Sequence, residues 1–509
     1  MELRATSQRI VLSVLALVLV TTISYDHTLN AGFIWDDDDH LTQNRAVAAP
    51  DGLRQIWSSL SISRYYPLTL TTFWVERHLW GLEPLPYHAV NVALHTLNTV
   101  LLYLLLRKLK VRGAWVAAAL WGVHPINVES VAWVTELKNT QSGFFFLSCL
   151  LCYLHYDERR EQWWWLAAAT ALFAAALLSK PSTVFLPAAL LLYVWWRRGR
   201  WQRDELFCIL PFAVMACLMS LLAVLEQQLL VQREHTADWS LSFADRLVVA
   251  GRVLWFYAGK LLWPWNLSFV YPRWQIDAST VTAWLPWLAL LVIAVACWLL
   301  RRHPWTKAFA FGAGWYVLAL SPVLGFANIY YFRYSFVADH FAYLAGMAFI
   351  PLVVAGFASV VKHRPTQIFM SVIVIVAFHM LTSHHSEVFH DNEALWLDTL
   401  RKNPASALAH NNLGNLYEHR DQLPLALEHL QEAARLTPGY AETHNNLGVV
   451  LARLDRVDDA VIQFRDALRL RPNFPDASTN LLHALAVQAQ RSIPSSTSTH
   501  DNLAPRSTE

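Results

Sequence analysis

Eleven apolar stretches, near residues 9–25, 87–106, 113–124, 141–156, 162–178, 182–196, 206–228, 281–300, 307–325, 340–361 and 366–383, take up most of the chain before residue 385. Hydrocarbon about 30 Å thick is crossed by roughly 20 helical residues. Lipid offers no partners to backbone polar groups, so unbroken apolar runs of this length point to helices. The expected fold is all-α: a polytopic membrane bundle of about 11 spans, the 113–124 run being cut short by His124-Pro125. Composition agrees, with 55% of the 509 residues hydrophobic and 15% charged. All five cysteines, the Cys149-x-x-Cys152 pair included, lie within apolar runs, so they read as membrane packing and supply no disulfide framework. A net charge of +2 argues against affinity built on phosphate neutralisation, so no nucleic acid partner is expected.

Orientation follows from Lys and Arg in the short connections. Arg107, Lys108, Lys110, Arg112, Arg159, Arg160, Arg197, Arg198, Arg200, Arg203, Arg301, Arg302, Lys307, Lys362 and Arg364 fall on alternate loops, fifteen in all, against Lys138, Lys180 and Arg333 on the others. That asymmetry predicts a cytoplasmic N-terminus and, with an odd number of spans, everything after about residue 384 on the opposite side. The first run, with no small-residue cleavage site after it, reads as a retained anchor. Residues 1–385 form the expected membrane domain, with outer loops 26–86 and 229–280. The segment 247–274, rich in Trp, Tyr, Arg and Lys, suits a helix lying at the interface.

Beyond His384 the chain turns polar and repeats. Pro404, Pro438 and Pro472 are 34 residues apart, as are Asn411-Asn412-Leu413-Gly414 and Asn445-Asn446-Leu447-Gly448. Thirty-four is the tetratricopeptide period. Residues 386–490 are therefore expected to form an α-solenoid with full repeats at 407–440 and 441–474 and flanking helices, followed by a disordered Ser, Thr and Pro-rich tail, 491–509. Asn412, Asn446 and Asn480 recur at one position of successive first helices. A side-chain amide both donates and accepts, so such a ladder can hold a polypeptide acceptor without reading its sequence; packing between repeats is the other reading.

The polar clusters of the membrane domain gather on the outer side. Trp35-Asp36-Asp37-Asp38-Asp39-His40 opens the first outer loop, followed by Arg64-Tyr65-Tyr66-Pro67-Leu68-Thr69. His124-Pro125-Ile126-Asn127-Val128-Glu129, Glu136-Leu137-Lys138-Asn139, Ser179-Lys180-Pro181 and Arg333 to His340, with Asp339, complete the set. Ionisable groups at span ends are costly, and their collection on one leaflet implies a shared site. Crowded carboxylates raise at least one pKa and make a better general base, while Lys138, Lys180, Arg333 and His340 suit an anionic headgroup.

In their order, these motifs and the repeats resemble the transmembrane-and-tetratricopeptide-repeat protein family, in particular its bacterial members. The resemblance covers residues 10–490. It implies a GT-C type glycosyltransferase that moves a sugar from a lipid-linked polyprenyl phosphate donor to a protein hydroxyl on the non-cytoplasmic face, here of a bacterial inner membrane with the repeats in the periplasm. It also implies an acidic residue of the first outer loop at the reacting centre, which maps to Asp36 and Asp37. Two departures stand out: the acidic run is four residues long, and Lys138-Asn139 stands where the animal branch has an Asp.

Chemistry leads to the same assignment. A sugar on a lipid phosphate carries its own leaving group, so one base and a few cations suffice, and a single displacement inverts the anomeric carbon. Asp36 or Asp37 is the expected base, Lys138, Lys180, Arg333 and His340 the phosphate ligands, and His124, Glu129 and Asp339 their supports. No metal is expected for a monophosphate donor, although adjacent Asp residues suit Mg²⁺ or Mn²⁺. The alternative is a membrane scaffold whose repeats recruit periplasmic partners, which leaves the spans and their outer polar clusters without a use.

Overall fold

The computed structural model describes residues 2–58, 66–233 and 241–492. Arg64 and Tyr65 of the outer-loop motif, and residues 493–509 of the expected tail, lie outside the described residues. Every described element is a helix or a turn of helix, with no strand. Compactness divides the chain into two units, Met1–Ser406 and Ala407–Glu509.

In the first unit each of the eleven apolar stretches is helical. Among the described residues, five helices are long and apolar enough to cross a membrane: Pro84–Lys108, Arg203–Glu226, Val281–Leu299, Asp339–Val360 and Arg364–Phe389. Gln8–Ser24 and Trp164–Ser179 are apolar but shorter. Ala114–Gly122 is only nine residues, because His124-Pro125 ends it and opens the turn Pro125–Asn127.

Small residues and buried hydrogen bonds join these helices, as expected where lipid removes any hydrophobic gain from helix association. A Cβ on Gly122 would sit 2.7 Å from Thr99 Oγ1, so the backbones of Ala114–Gly122 and Pro84–Lys108 approach closely there. His95 donates and accepts across the bundle, its Nε2 2.8 Å from the Gly122 carbonyl and its Nδ1 2.9 Å from the Tyr343 hydroxyl. At the other end Asp157, buried, holds Arg160 at 2.8 Å and Arg198 at 2.5 Å, and both arginines also pair with Glu205. Three of the helices are tied there by side chains that the charge pattern assigned to the cytoplasmic loops.

Phe243–Leu262 is the amphipathic helix of the 247–274 segment. It buries Val249, Val253 and Tyr257 on one face and exposes Phe243 and Trp255 on another. Asn392–Lys402, which the repeat pattern placed in the solenoid, belongs to the first unit. Lys402 Nζ donates to Leu267 O at 2.6 Å and Asn403 Nδ2 to Val270 O at 3.2 Å, so the compact boundary falls at Ser406–Ala407, not at 385–386.

The second unit comprises two helical hairpins, Ala407–His419 with Leu423–Leu436 and Ala441–Arg453 with Val457–Leu470, then Pro475–Ser492. Gly414 and Gly448 let the paired helices touch: an added Cβ would lie 2.5 Å from Leu430 Cγ in the first and 2.6 Å from the Phe464 ring in the second. Arg491 and Ser492, which the composition assigned to the tail, end the last helix.

Candidate active site

The acid run begins at a strained residue. Trp35 has φ 44°, a left-handed backbone that a bulky residue adopts only when its surroundings hold it there. Its N–H donates to Asn392 Oδ1 at 2.8 Å, and its ring stacks on Trp133 at 5.3 Å and meets Phe269 and Trp396 edge-on. After this kink the four acids part.

Asp36 lines a cavity of about 910 Å³. Its Oδ2 is 3.6 Å from His40 Nδ1. Asp37 turns into the protein: Oδ2 accepts from Ile34 N–H at 2.8 Å, and Oδ1 from Thr135 N–H at 2.8 Å and Thr135 Oγ1 at 2.5 Å. Burial outweighs these donors and, with the Asp36 charge adding to it, pushes the Asp37 carboxyl up to about 7. Asp38 and Asp39 are exposed. Of the two expected bases, Asp36 is at the cavity and Asp37 fastens the outer loop to the 133–136 segment.

Three of the four expected phosphate ligands line the same cavity: Lys138, Lys180 and His340. Glu136, which the sequence reading left without a role, organises them. Its Oε1 pairs with Lys138 Nζ at 2.8 Å and its Oε2 with Lys180 Nζ at 3.1 Å, and Lys180 also donates to Asn139 Oδ1 at 2.7 Å. Burial alone would raise the Glu136 carboxyl, but the two ammonium groups and His340 hold it well below the usual carboxylate range. Burial pulls the Lys180 ammonium down to about 8, against the upward pull of Glu136. The signal is present in Glu136-Leu137-Lys138-Asn139, a carboxylate two residues from a lysine.

Arg333 is not among the residues lining this cavity. It packs over the Tyr330 and Tyr334 rings, 5.9 and 5.7 Å from their centroids. Of the expected supports, Glu129 binds His340 directly, its Oε1 2.7 Å from Nδ1. His124 serves packing: Nε2 lies 3.1 Å from the Leu261 carbonyl, and Nδ1 accepts from Ile126 N–H. Asp339 Oδ1 accepts from the Tyr271 hydroxyl at 2.8 Å, away from the lining.

Apolar residues complete the cavity. Ala223 and Val224 come from the helix Arg203–Arg233, and Val184, Val323, Phe326 and Leu344 from its neighbours. Trp35, Trp133 and Tyr66 flank the charged groups, Lys138 Nζ lying 5.3 Å from the centre of a Trp133 ring. A charged, aromatic-walled end thus adjoins apolar residues of membrane-type helices, a combination suited to a molecule with an anionic head and a hydrocarbon tail. Among the described residues no group of three or more His, Cys, Asp and Glu side chains is placed to hold a metal ion.

In the repeat unit, Asn446 Nδ2 donates to Asn411 Oδ1 at 3.3 Å, Asn480 Nδ2 to Asn445 Oδ1 at 3.0 Å, and Asn412 Nδ2 to Leu408 O at 2.8 Å. Two of the three expected ladder residues therefore spend an amide donor in joining successive first helices.

Comparison with known proteins fits both units. Residues 78–225 match a family model described as dolichyl-phosphate-mannose-protein mannosyltransferase, and residues 405–473 match a tetratricopeptide-repeat model. A protein O-mannosyl-transferase of Caenorhabditis elegans is 24% identical over 79% of this chain and 60% of its own length. The Drosophila melanogaster protein O-mannosyl-transferase Tmtc3 is 23% identical over 84% of this chain and 55% of its own. A second Drosophila melanogaster relative, protein O-mannosyl-transferase Tmtc1, is 35% identical over 28% of this chain and 17% of its own. The chain thus spans less than two thirds of the length of these relatives. Over most of its length the chain is similar to proteins named as protein O-mannosyl-transferases, with one stretch matching a mannosyltransferase model and another a tetratricopeptide-repeat model.

Proposed function

We propose that this chain is a membrane glycosyltransferase that moves a sugar from a polyprenyl phosphate carrier to a hydroxyl, in the first instance a protein Ser or Thr, on the non-cytoplasmic face. One observation carries the reading: Asp36, Lys138, Lys180 and His340 line a single cavity that also takes in apolar residues of membrane-type helices. Asp36 removes the acceptor proton, a contribution of about 10²- to 10⁴-fold. The two lysines receive the phosphate, and the apolar residues accommodate the first isoprene units of the carrier. Attack opposite the departing phosphate inverts the anomeric carbon.

The charge asymmetry of the loops supports a cytoplasmic N-terminus, with repeats exposed to the periplasm of a bacterial inner membrane. The repeat unit holds the acceptor polypeptide. Each amide has two N–H donors and an oxygen, so the bond each one makes leaves Asn412, Asn446 and Asn480 capacity for a bound backbone. The mechanism uses no metal.

The test is transfer from a polyprenyl-phosphate-linked sugar to a Ser/Thr peptide by purified protein, followed by mass spectrometry. Wild-type protein is expected to glycosylate the peptide, and Asp36→Asn protein of normal melting temperature to lose the activity. Full activity in Asp36→Asn would refute the assignment.

A further inference from the structure

Glu129, in the short helix Val128–Ala132, is buried and grips residue 340 twice. Its Oε1 is 2.7 Å from His340 Nδ1, and its Oε2 accepts the His340 backbone N–H at 3.0 Å. Asn139 Nδ2, already shared with Glu136, donates to the His340 carbonyl at 3.0 Å. Phe341, Tyr331 and Trp133 surround the ring at centroid distances of 4.4, 5.7 and 6.0 Å. The imidazole is therefore fixed in position and orientation. With Nδ1 held by a carboxylate, Nε2 is the nitrogen left for the cavity that His340 lines.

A charge count gives this arrangement a purpose. Glu136, Lys138 and Lys180 together carry one positive charge, and two further lining residues of opposite sign, Arg246 and Glu226, cancel, Arg246 being engaged with the Gly325 and Phe326 carbonyls and with Asn328. A sugar phosphodiester carries one negative charge, but the monoester that leaves acquires a second as the glycosidic bond breaks. The lysine pair matches the first charge and not the second. Phosphate monoesters take up their second proton near pH 6, and an imidazole is the side chain most often used as a general acid near neutral pH.

We propose that His340 is the general acid of the transfer, protonating the departing phosphate from Nε2, with Glu129 as the positioning residue that keeps the imidazole aimed. This role rests on the glycosyl-transfer reading above. The C1–O bond to phosphate breaks, its electron pair remaining on the phosphate oxygen, while the acceptor oxygen bonds to C1. Asp36 takes the acceptor proton, the Nε2 proton passes to a non-bridging phosphate oxygen, and both groups reset by exchange with water. The ionisable groups around the imidazole are Glu129, Glu136 with its partner Lys180, the Tyr331 hydroxyl and the neighbouring Asp339.

The experiment measures kcat and donor KM for transfer to a Ser/Thr peptide by full-length wild-type, His340→Gln and Glu129→Gln proteins. Glutamine keeps an N–H donor but has no proton to give. His340→Gln is expected to lower kcat by about 10²-fold or more and to leave donor KM within a few-fold. Glu129→Gln frees the imidazole from its carboxylate, so kcat falls as well, with donor KM again within a few-fold. Wild-type kcat in His340→Gln, or a raised KM with kcat unchanged, would overturn the role of His340 while leaving the transfer reading standing. If His340→Gln does not accumulate, the Glu129→Gln kinetics decide, and an unchanged kcat refutes the proposal. Wild-type protein that transfers nothing would overturn the glycosyl-transfer reading itself, and this role with it.

Discussion

Asp36 and Asp37 are adjacent, yet replacing them should damage different properties. Asp37→Ala removes the acceptor for two buried backbone donors, Ile34 N–H and Thr135 N–H, and for the Thr135 hydroxyl. The hydroxyl can rotate to another partner and the two amides cannot. A buried donor without a partner costs about 1–3 kcal/mol, so the loss is roughly 2–6 kcal/mol against a total stability on the order of 5–15 kcal/mol. Asp37→Asn keeps an acceptor oxygen and should fall between. Asp36→Asn, by contrast, preserves shape at the cavity wall and should melt close to wild type while losing transfer by about 10²- to 10⁴-fold. Thermal melting of detergent-solubilised protein, run beside the transfer assay, separates the two effects. The reasoning is refuted if Asp37→Ala melts like wild type, or if well-folded Asp37→Asn loses as much transfer as Asp36→Asn.

Three further outcomes are expected. Glu76 is buried with neither carboxylate oxygen hydrogen-bonded, and burial raises it to about 8. The folded state therefore binds more protons than the unfolded state between about pH 4.5 and pH 8, and stability falls as pH rises across that window, by roughly 4–5 kcal/mol at most. Asp37 adds a fall of the same sign up to about pH 7. Glu76→Gln should flatten the decline in melting temperature from pH 5 to pH 8, and an equal slope in both proteins would count against it. Lys180→Met deletes a charge-assisted contact to the phosphate, of about 1.5–3 kcal/mol, so donor KM should rise roughly 10- to 150-fold; an unchanged KM would remove Lys180 from the donor site. Gly448→Ala drives a methyl group into Phe464 and should destabilise the repeat unit by about 1–3 kcal/mol. Faster proteolysis within residues 407–492 would report that loss, while wild-type resistance would contradict the close helix approach.

The repeat unit was largely legible because its period is local: Gly414 and Gly448, and Pro438 and Pro472, repeat at 34 residues whatever surrounds them. Its start was less legible. Asn392–Lys402 has the pattern of a repeat helix, but Trp396 and Lys402 are taken up by Trp35 and by the 263–271 segment, contacts that no local pattern encodes. In the site, Asp36, Lys138, Lys180 and His340 come from four separate motifs, and only the folded chain brings them to one cavity. Charge alone groups Arg333 with the lysines, and its packing on Tyr330, which does line the cavity, and on Tyr334 depends on the path of the chain between helices. Glu136 went unassigned because one carboxylate between two lysines is visible only when Lys180 is brought to it from 44 residues away.

The sequence by itself determined that this is an all-helical chain of membrane type with a tetratricopeptide array behind it, because hydropathy and period are properties of neighbouring residues. Tertiary structure alone decided that, of two identical adjacent acids, Asp36 lines the cavity while Asp37 is buried. The turn at Trp35 sends consecutive side chains in different directions, and its φ of 44° persists because Trp133, Phe269, Trp396 and Asn392, distant in sequence, close around it.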